Sequence, residues 1–246
     1  MNTTGRSAGL HLARYMLGLA QQFFAIHGIA ADTSDAVSEL AIVDLGNERF
    51  RVGKIEVNKR AQRFTVTGRV IQREMPDNPV EYLAVVPDGY KSYETLLELD
   101  AGAREFNLAC ILIGLDSRNA VLPRFHFDPE PVKGDPVDLT VSWEEGGNTI
   151  TRHPGEFISI DGLDRFPEEW VYTGSVLTDK GDYLAESIGL LISFAHEPMS
   201  IIDHRTGIGI GAYGAPKINQ EKIPPPGTPL TMTISRSTTP KEAVTP

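Results

Sequence analysis

Two glutamates, Glu81 and Glu94, are the residues of this sequence best suited to acid/base chemistry. They lie in the apolar runs 80–86 and 93–99, which the turn-forming segment 87–90 separates. If the two runs pair as neighbouring strands, the carboxylates approach one another, and close like charges raise the pKa of one of them. Such a pair can serve as general acid and base or bind a cation. The alternative is a pair of strand glutamates that face solvent.

Four histidines are candidate partners for these carboxylates: His126, His153, His196 and His204. His196 is also a weak catalytic candidate in its own right, because Asp203 and His204 follow it closely and can converge with it in a metal or acid/base cluster. Scattered surface histidines are the alternative interpretation of the same residues.

The dipeptide His196-Glu197 begins like the zinc-binding pattern H-E-x-x-H. That pattern needs a second histidine one helical turn later, where this chain has Ser200, and Pro198 interrupts the required helix. We therefore predict no zinc site of this type, and no metal ligand is assigned.

The segment Gly209–Gly214 reads G-x-G-x-x-G, the spacing of a dinucleotide-binding loop. In such a site the glycines open a helix whose N-terminal amides hold the pyrophosphate. Here Pro216 and then three prolines at 224–226 leave no room for that helix. We predict a glycine-rich loop and no bound cofactor.

Other chemistry-bearing residues receive structural interpretations. The carboxylates Asp128, Glu130, Asp135 and Asp138 lack the spacing of a calcium loop and indicate a solvated acidic loop. Ser175 lacks the trailing glycine of a nucleophile elbow. Cys110 lies in an apolar run and is predicted to be buried.

Three aromatic residues, Trp143, Trp170 and Tyr172, occupy predicted strands. They could form a platform for a carbohydrate or a peptide, although aromatic residues at strand positions usually belong to the core.

Composition limits the classes of protein and of partner. With 246 residues, 41% apolar and 23% charged, the chain can bury a sizeable core. Its formal net charge of −10 and the lack of a basic cluster exclude a nucleic-acid partner. The partner is expected to be a protein or a small molecule.

Residues 1–31 have the order of a secretory signal peptide. Arg6 and Arg14 precede an apolar stretch from Tyr15 to Ile29, and small residues follow before Asp32. An amphipathic first helix is the alternative. We expect cleavage near Ala31 or Asp32, a mature chain with no stable membrane span, and a periplasmic or extracellular location; mass spectrometry of the mature N-terminus tests this.

The remainder predicts an α+β fold, predominantly β, with antiparallel strands and one amphipathic helix packed on a sheet. Asp100 is the expected N-cap of that helix, whose apolar positions are Ala103, Phe106, Cys110 and Ile113, and Gly114 ends it. Alternating or apolar runs predict strands at 50–57, 63–70, 80–86, 93–99, 137–143, 148–153, 170–177, 183–186 and 190–195, with an edge strand at 230–235.

Several short motifs, taken in order, resemble the YdjY-like domain family. They are Glu81-Tyr82-Leu83, Lys91–Leu97, Ile111–Leu115, Trp170–Ser175, Tyr183–Glu186 and Gly189–Ser193. The resemblance extends from Val52 to Arg236 and implies an exported bacterial protein, but it implies no activity. Family members tend to have His before the Glu of an "HE" motif, whereas Tyr93 precedes Glu94 here, which argues against a metal site at that pair.

We therefore expect a signal peptide (1–31), a β-rich YdjY-like domain (32–236) and a polar tail (237–246). The leading hypothesis is an extracytoplasmic binding or accessory module without a catalytic motif. The alternative is a hydrolase or metal-dependent enzyme that uses Glu81 or Glu94 with one of the four histidines.

Overall fold

A computed structural model describes residues 41–74, 80–207 and 216–238. Their strands are β1 (Ile42–Gly46), β2 (Arg49–Val52), β3 (Ile55–Asn58), β4 (Arg63–Val70), β5 (Tyr82–Val85), β6 (Thr95–Leu99), β7 (Asp135–Glu145), β8 (Asn148–Arg152), β9 (Ile158–Ser159), β10 (Trp170–Tyr172), β11 (Leu190–Ser193), β12 (Ile202–His204), β13 (Lys217–Ile218) and β14 (Pro229–Arg236). The helices are α1 (Ala103–Leu112) and α2 (Leu184–Ile188), with 3₁₀ turns at Ser92–Glu94 and Pro154–Phe157. The predominantly β prediction is confirmed.

The main sheet closes on itself through strand β4. The strands follow the order β4-β14-β7-β10-β12-β11-β5-β6, and β6 pairs back with β4. One half of β4, around Thr65, pairs with β3, while Gly68 and Val70 in the other half pair with β6. Strand β4 thereby belongs to the closed cycle of eight strands and also carries strands β3, β2 and β1, which extend the sheet outside that cycle.

Alternation along β4 explains which side of the sheet is buried. Phe64, Val66 and Val70 are buried, and the residues between them are more exposed, as a period of two requires. Helix α1 covers the core by packing Phe106 edge-to-face on Phe64, with ring centroids 5.3 Å apart. Burial of the two rings fixes the helix on the sheet.

Two strand pairs differ from the antiparallel expectation. β5 pairs in parallel with β6, and β11 pairs in parallel with β12, while the other pairs of the described chain are antiparallel. The segment after β5 therefore does not form the expected hairpin. It carries the chain back to the starting end of β5, through the 3₁₀ turn Ser92–Glu94.

Helix α1 has the predicted apolar face but a different start. Gly102 is its N-cap, and the Glu105 carboxylate accepts a hydrogen bond of 2.9 Å from the Gly102 amide. Asp100 instead accepts a hydrogen bond from Thr67 Oγ1 at 2.8 Å, so its carboxylate is directed to β4. The predicted end at Gly114 is confirmed, because this glycine has a φ of +92°.

Several strand predictions are wrong in detail; the predicted strand 170–177, for example, ends at Tyr172, and the predicted strand 93–99 begins only at Thr95. The run 50–57 is split into β2 and β3 by a turn at Gly53, and residues 184–188 form helix α2, not a strand. Residues 229–236 form β14, which lies between β4 and β7 and is not an edge strand. The prolines before β14 suggested an edge, but none of them lies in its paired interior.

The aromatic residues proposed as a platform belong to the core. Trp143, Trp170 and Tyr172 are all buried. Trp170 Nε1 donates to Glu168 at 2.8 Å, and the Tyr172 hydroxyl donates to Asn107 at 2.7 Å. The polar groups of these two rings therefore already have hydrogen-bond partners inside the protein.

The proposed signal peptide (1–31) and the Gly209–Gly214 loop lie outside the described residues, so the domain boundaries remain predictions. Within the described ranges, no helix is both long and apolar enough to cross a membrane.

Candidate functional site

Glu81 and Glu94 are neighbours at the starting end of two parallel strands. Tyr82 of β5 lies opposite Thr95 of β6, and the residue before each of them is a glutamate. The Glu81 amide donates to the Glu94 carbonyl at 3.1 Å, which holds the two backbones together. Both glutamates are 8% exposed. The solvent-facing alternative is therefore wrong, although the pairing is parallel and not across a hairpin.

A third glutamate, Glu197, joins them from the segment after β11. Because β11 runs antiparallel to β5, its last residue, Ser193, lies opposite Tyr82. The amides of Phe194 and Ala195 both donate to the Glu81 carbonyl at 3.0 Å. Glu197, which is 5% exposed, thus lies at the same end of the sheet as Glu81. We call Glu81, Glu94 and Glu197 the acidic cluster.

His126 reaches the acidic cluster from a tight turn at residues 124–128. Its Nε2 lies 3.1 Å from Glu81 Oε2, and its Nδ1 lies 3.2 Å from Glu197 Oε2. An imidazole donates from both nitrogens only when it is protonated. Hydrogen bonds to Glu197 and Glu81 raise the pKa of His126 from 6.5 to about 9. The ring is therefore an imidazolium at neutral pH, held between two carboxylates.

The turn that presents His126 is strained and firmly held. Phe127 has a φ of +61°, a left-handed conformation that a bulky residue rarely adopts. Its amide donates to the His196 carbonyl at 3.1 Å. Arg124 clamps Asp128 with two side-chain hydrogen bonds, at 2.6 and 2.7 Å. Strain of this kind persists only where the surroundings impose it, and it is concentrated at functional sites.

Lys91 and Tyr82 complete the surroundings of the acidic cluster. Lys91 Nζ lies 3.3 Å from Glu94 Oε2 and 5.5 Å from the centre of the Tyr82 ring. Burial opposes the charge on Lys91, but the Glu94 carboxylate outweighs burial and raises the lysine pKa. Three carboxylates thus face two cations, Lys91 and His126, in the described structure.

The Tyr82 hydroxyl is fully buried and has no hydrogen-bond partner of normal geometry among the described residues. Burial, followed by the charges of Glu197, Glu81 and Glu94 and by a hydrogen-bonding contact of the hydroxyl with Glu81, raises its pKa far above the ordinary value. The phenol therefore stays neutral, and its oxygen, which lies near three carboxylates, accepts no hydrogen bond from the described residues. Such an unsatisfied buried group is costly unless a ligand or a water binds it.

Asp203 supports Glu197 from β12. Its Oδ1 accepts a hydrogen bond of 3.2 Å from the Glu197 amide. Burial raises the pKa of Asp203 to about 8, so this carboxyl is largely protonated at neutral pH. Because it is completely enclosed, Asp203 positions the Glu197 backbone and is not itself open to a ligand.

The other candidate histidines lie apart from the acidic cluster. His196 is buried, with Nδ1 hydrogen-bonded to the Asp128 carbonyl and Nε2 3.2 Å from the Arg205 carbonyl. It braces the turn that carries His126. His204 Nε2 contacts the Pro167 carbonyl at 2.9 Å, and His153 Nδ1 contacts the Leu139 carbonyl at 3.1 Å.

The prediction of a solvated acidic loop is confirmed only at the exposed Glu130, because Asp135 and Asp138 are half-buried residues of strand β7. Asp128 is buried, and its hydrogen bonds with the Arg124 side chain hold the pKa of its carboxyl well below the ordinary range. Ser175 donates to the Met199 carbonyl at 2.8 Å and belongs to a loop. Cys110 is buried, as predicted, and burial raises the pKa of its thiol.

Sequence reasoning found Glu81, Glu94 and His126 as candidates but missed Glu197, Lys91 and Tyr82. Glu197 was considered only as part of an H-E-x-x-H pattern. The available signal was position, because Glu197 lies two residues after the buried run 190–195 and Glu81 directly precedes strand β5.

The arrangement of the described residues does not support a metal site, either at the acidic cluster or elsewhere. No group of three His, Cys, Asp or Glu side chains among those residues is arranged to hold a metal ion. A cavity of about 420 Å³ lies beside β9 and β13, between Ile160, Phe166 and Lys222, and none of the acidic cluster lines it.

Comparison with known proteins places the chain in a family. A family model described as the YdjY domain matches residues 55–235, which is most of the chain and includes every residue of the acidic cluster. No curated protein and no solved structure matches significantly. By the extent of the match to its model, the chain belongs to the YdjY domain family.

Proposed function

We propose that this chain is a binding module whose acidic cluster receives the ammonium group of a small molecule or a peptide. The observation that carries the proposal is the convergence of Glu81, Glu94 and Glu197, all buried, on one end of the sheet beside Tyr82, with His126 between Glu81 and Glu197. Buried carboxylates are stable only when they are paired with cations.

The balance of charge supports a positively charged ligand. Lys91 and His126 supply two cations to three carboxylates, which leaves one negative charge in excess within the cluster. Lys91 also shows that an ammonium suits these surroundings, since its Nζ lies 5.5 and 5.6 Å from the ring centres of Tyr82 and Tyr93.

Exposed aromatic side chains adjoin the residues of the cluster. Tyr93 directly precedes Glu94, and Phe125 directly precedes His126; both side chains are exposed. Tyr90 is exposed as well and packs edge-to-face on Tyr93, with centroids 6.5 Å apart. Exposed aromatic rings beside buried carboxylates provide apolar contact for the body of a ligand whose cation enters the cluster.

Binding is favoured over general acid/base catalysis by the state of His126. Both of its ring nitrogens are already hydrogen-bonded to the protein's own carboxylates. A general acid or base needs a free position within hydrogen-bonding reach of the substrate. The hydrolase alternative requires a freed nitrogen of His126 that then carries a proton to or from a substrate, whereas a binding module requires only that the ligand compete for the carboxylates.

Calorimetric titration with n-butylammonium chloride tests the proposal, with n-butanol as the neutral analogue at the same ionic strength. We expect the ammonium to bind and the alcohol not to bind. Glu81→Gln and Glu197→Gln should each weaken binding about tenfold or more, because each removes a charge-assisted hydrogen bond.

Glu221→Gln is the matched control, since Glu221 is an exposed glutamate between β13 and β14, outside the cluster. It should bind n-butylammonium as the wild type does. Equal affinity for ammonium and alcohol, or full affinity in both cluster variants, would contradict the proposal. Circular dichroism confirms that each variant is folded.

A further inference from the structure

The acidic cluster already holds a partly exposed cation, the imidazolium of His126. Lys91 reaches the cluster from the 3₁₀ turn beside Glu94, and most of its side chain is buried. The His126 side chain is 37% exposed. Of the two cations, His126 has the more exposed side chain, and it contacts two carboxylates of the cluster, Glu81 and Glu197.

We propose that His126 occupies the place of the ligand's ammonium group, so that a primary ammonium binds between Glu81 and Glu197 by displacing the imidazole. This inference rests on the proposed function and makes His126 the residue that determines which cations enter. The Arg124–Asp128 clamp and the His196 contact hold the backbone of the turn, so the side chain can rotate while the turn stays in place.

The buried hydroxyl of Tyr82 indicates why a primary ammonium replaces the imidazolium. An imidazolium has two N–H donors, and both are used by Glu81 and Glu197. A primary ammonium has three, so it can donate to both carboxylates and also to the buried Tyr82 oxygen, which accepts no hydrogen bond from the described residues. A quaternary ammonium has no N–H donor and gains none of these bonds.

The charged groups around His126 are few. Glu81 and Glu197 contact its ring directly, and the neutral Tyr82 ring lies 6.5 Å away, between centroids. On its own turn, the charges of Arg124 and Asp128 neutralise each other. Withdrawal of the imidazolium therefore exposes two carboxylates, and no cation of the turn replaces it.

Removal of the imidazole should strengthen ligand binding. We expect His126→Ala and His126→Gln to bind n-butylammonium at pH 7.5 about tenfold more tightly than the wild type. A tenfold difference corresponds to an imidazole that occupies the site about nine-tenths of the time in the free wild-type protein. Tetramethylammonium should bind neither the wild type nor the variants. His153→Ala, which removes an exposed histidine outside the cluster, should leave the affinity unchanged.

The outcomes separate this inference from the proposed function. If the wild type binds n-butylammonium through Glu197 but both His126 variants bind it equally or more weakly, the displacement is wrong and the binding function stands. If only the His126 variants bind, the displacement is supported. If n-butylammonium binds neither the wild type nor folded His126 variants, both proposals fail.

Discussion

His126 is the residue whose protonation links the candidate site to the stability of the whole protein. Glu197 and Glu81 hold its ring as an imidazolium, with a pKa of about 9 in place of 6.5. A group whose pKa is higher in the folded state than in the unfolded state stabilises the protein fully below the unfolded value. That stabilisation is lost as the pH rises through the folded value.

We predict that the free energy of unfolding falls more steeply with pH in the wild type than in His126→Gln, between about pH 6.5 and pH 9. More than a third of the ring side chain is exposed, so solvent screening reduces the difference to ~1 kcal/mol. Urea denaturation at pH 6, 7.5 and 9.5 measures it. Asp203 also titrates in this range, but it is present in both proteins and its effect cancels.

His153→Gln is the control for this series and should follow the wild-type curve. Parallel curves for the wild type and His126→Gln would mean that His126 has an ordinary pKa and that the carboxylates do not hold its ring.

At the scale of elements, the position of the acidic cluster depends on parallel strands. β5 and β6 start at the same end of the sheet, which places the residues before them, Glu81 and Glu94, side by side. A hairpin between these strands would have placed the residues before β5 and after β6 side by side instead. Strand direction is thus a condition for the site.

The parallel pairing could not be predicted from the sequence, because parallel neighbours usually need a crossover of a dozen or more residues. Here a shorter segment and one 3₁₀ turn return the chain between Val85 and Thr95. Helix α1 was predictable, since its apolar face repeats with helical spacing. The turn at 124–128 was not, because its left-handed Phe127 is imposed by contacts with residues far along the chain.

The placement of β14 between β4 and β7 can be tested by a substitution in the middle of the strand. Thr233 lies opposite Thr65 on one side and Thr140 on the other. Proline at this position removes a backbone donor and clashes within the ladder, so Thr233→Pro should lower the free energy of unfolding by about 3 kcal/mol or more.

Thr233→Ala is the matched control for β14, and it should cost less than about 1 kcal/mol because the side chain is only half-buried. Denaturant unfolding compares the two variants. A Thr233→Pro protein as stable as Thr233→Ala would show that β14 is an edge strand after all, as its proline-rich approach suggested.

At the scale of the whole molecule, closure of the sheet brings distant segments to one end of it. Residues 81, 94, 126 and 197 are separated by up to 116 positions in the chain, yet β5, β6 and β11 place three of them together. The sequence indicated a β-rich body and its family, and it indicated the residue types of the site. Which residues meet depends on the closed strand order, which local patterns do not contain.

The pKa of the His126 ring, measured by NMR with and without saturating n-butylammonium, tests the account most directly. A ring held between Glu81 and Glu197 should titrate near pH 9 in the free protein. With the ammonium bound in its place, the pKa should fall towards 6.5. A pKa near 6.5 in the free protein, unchanged by the ammonium, would contradict both the geometry of the site and its role in binding.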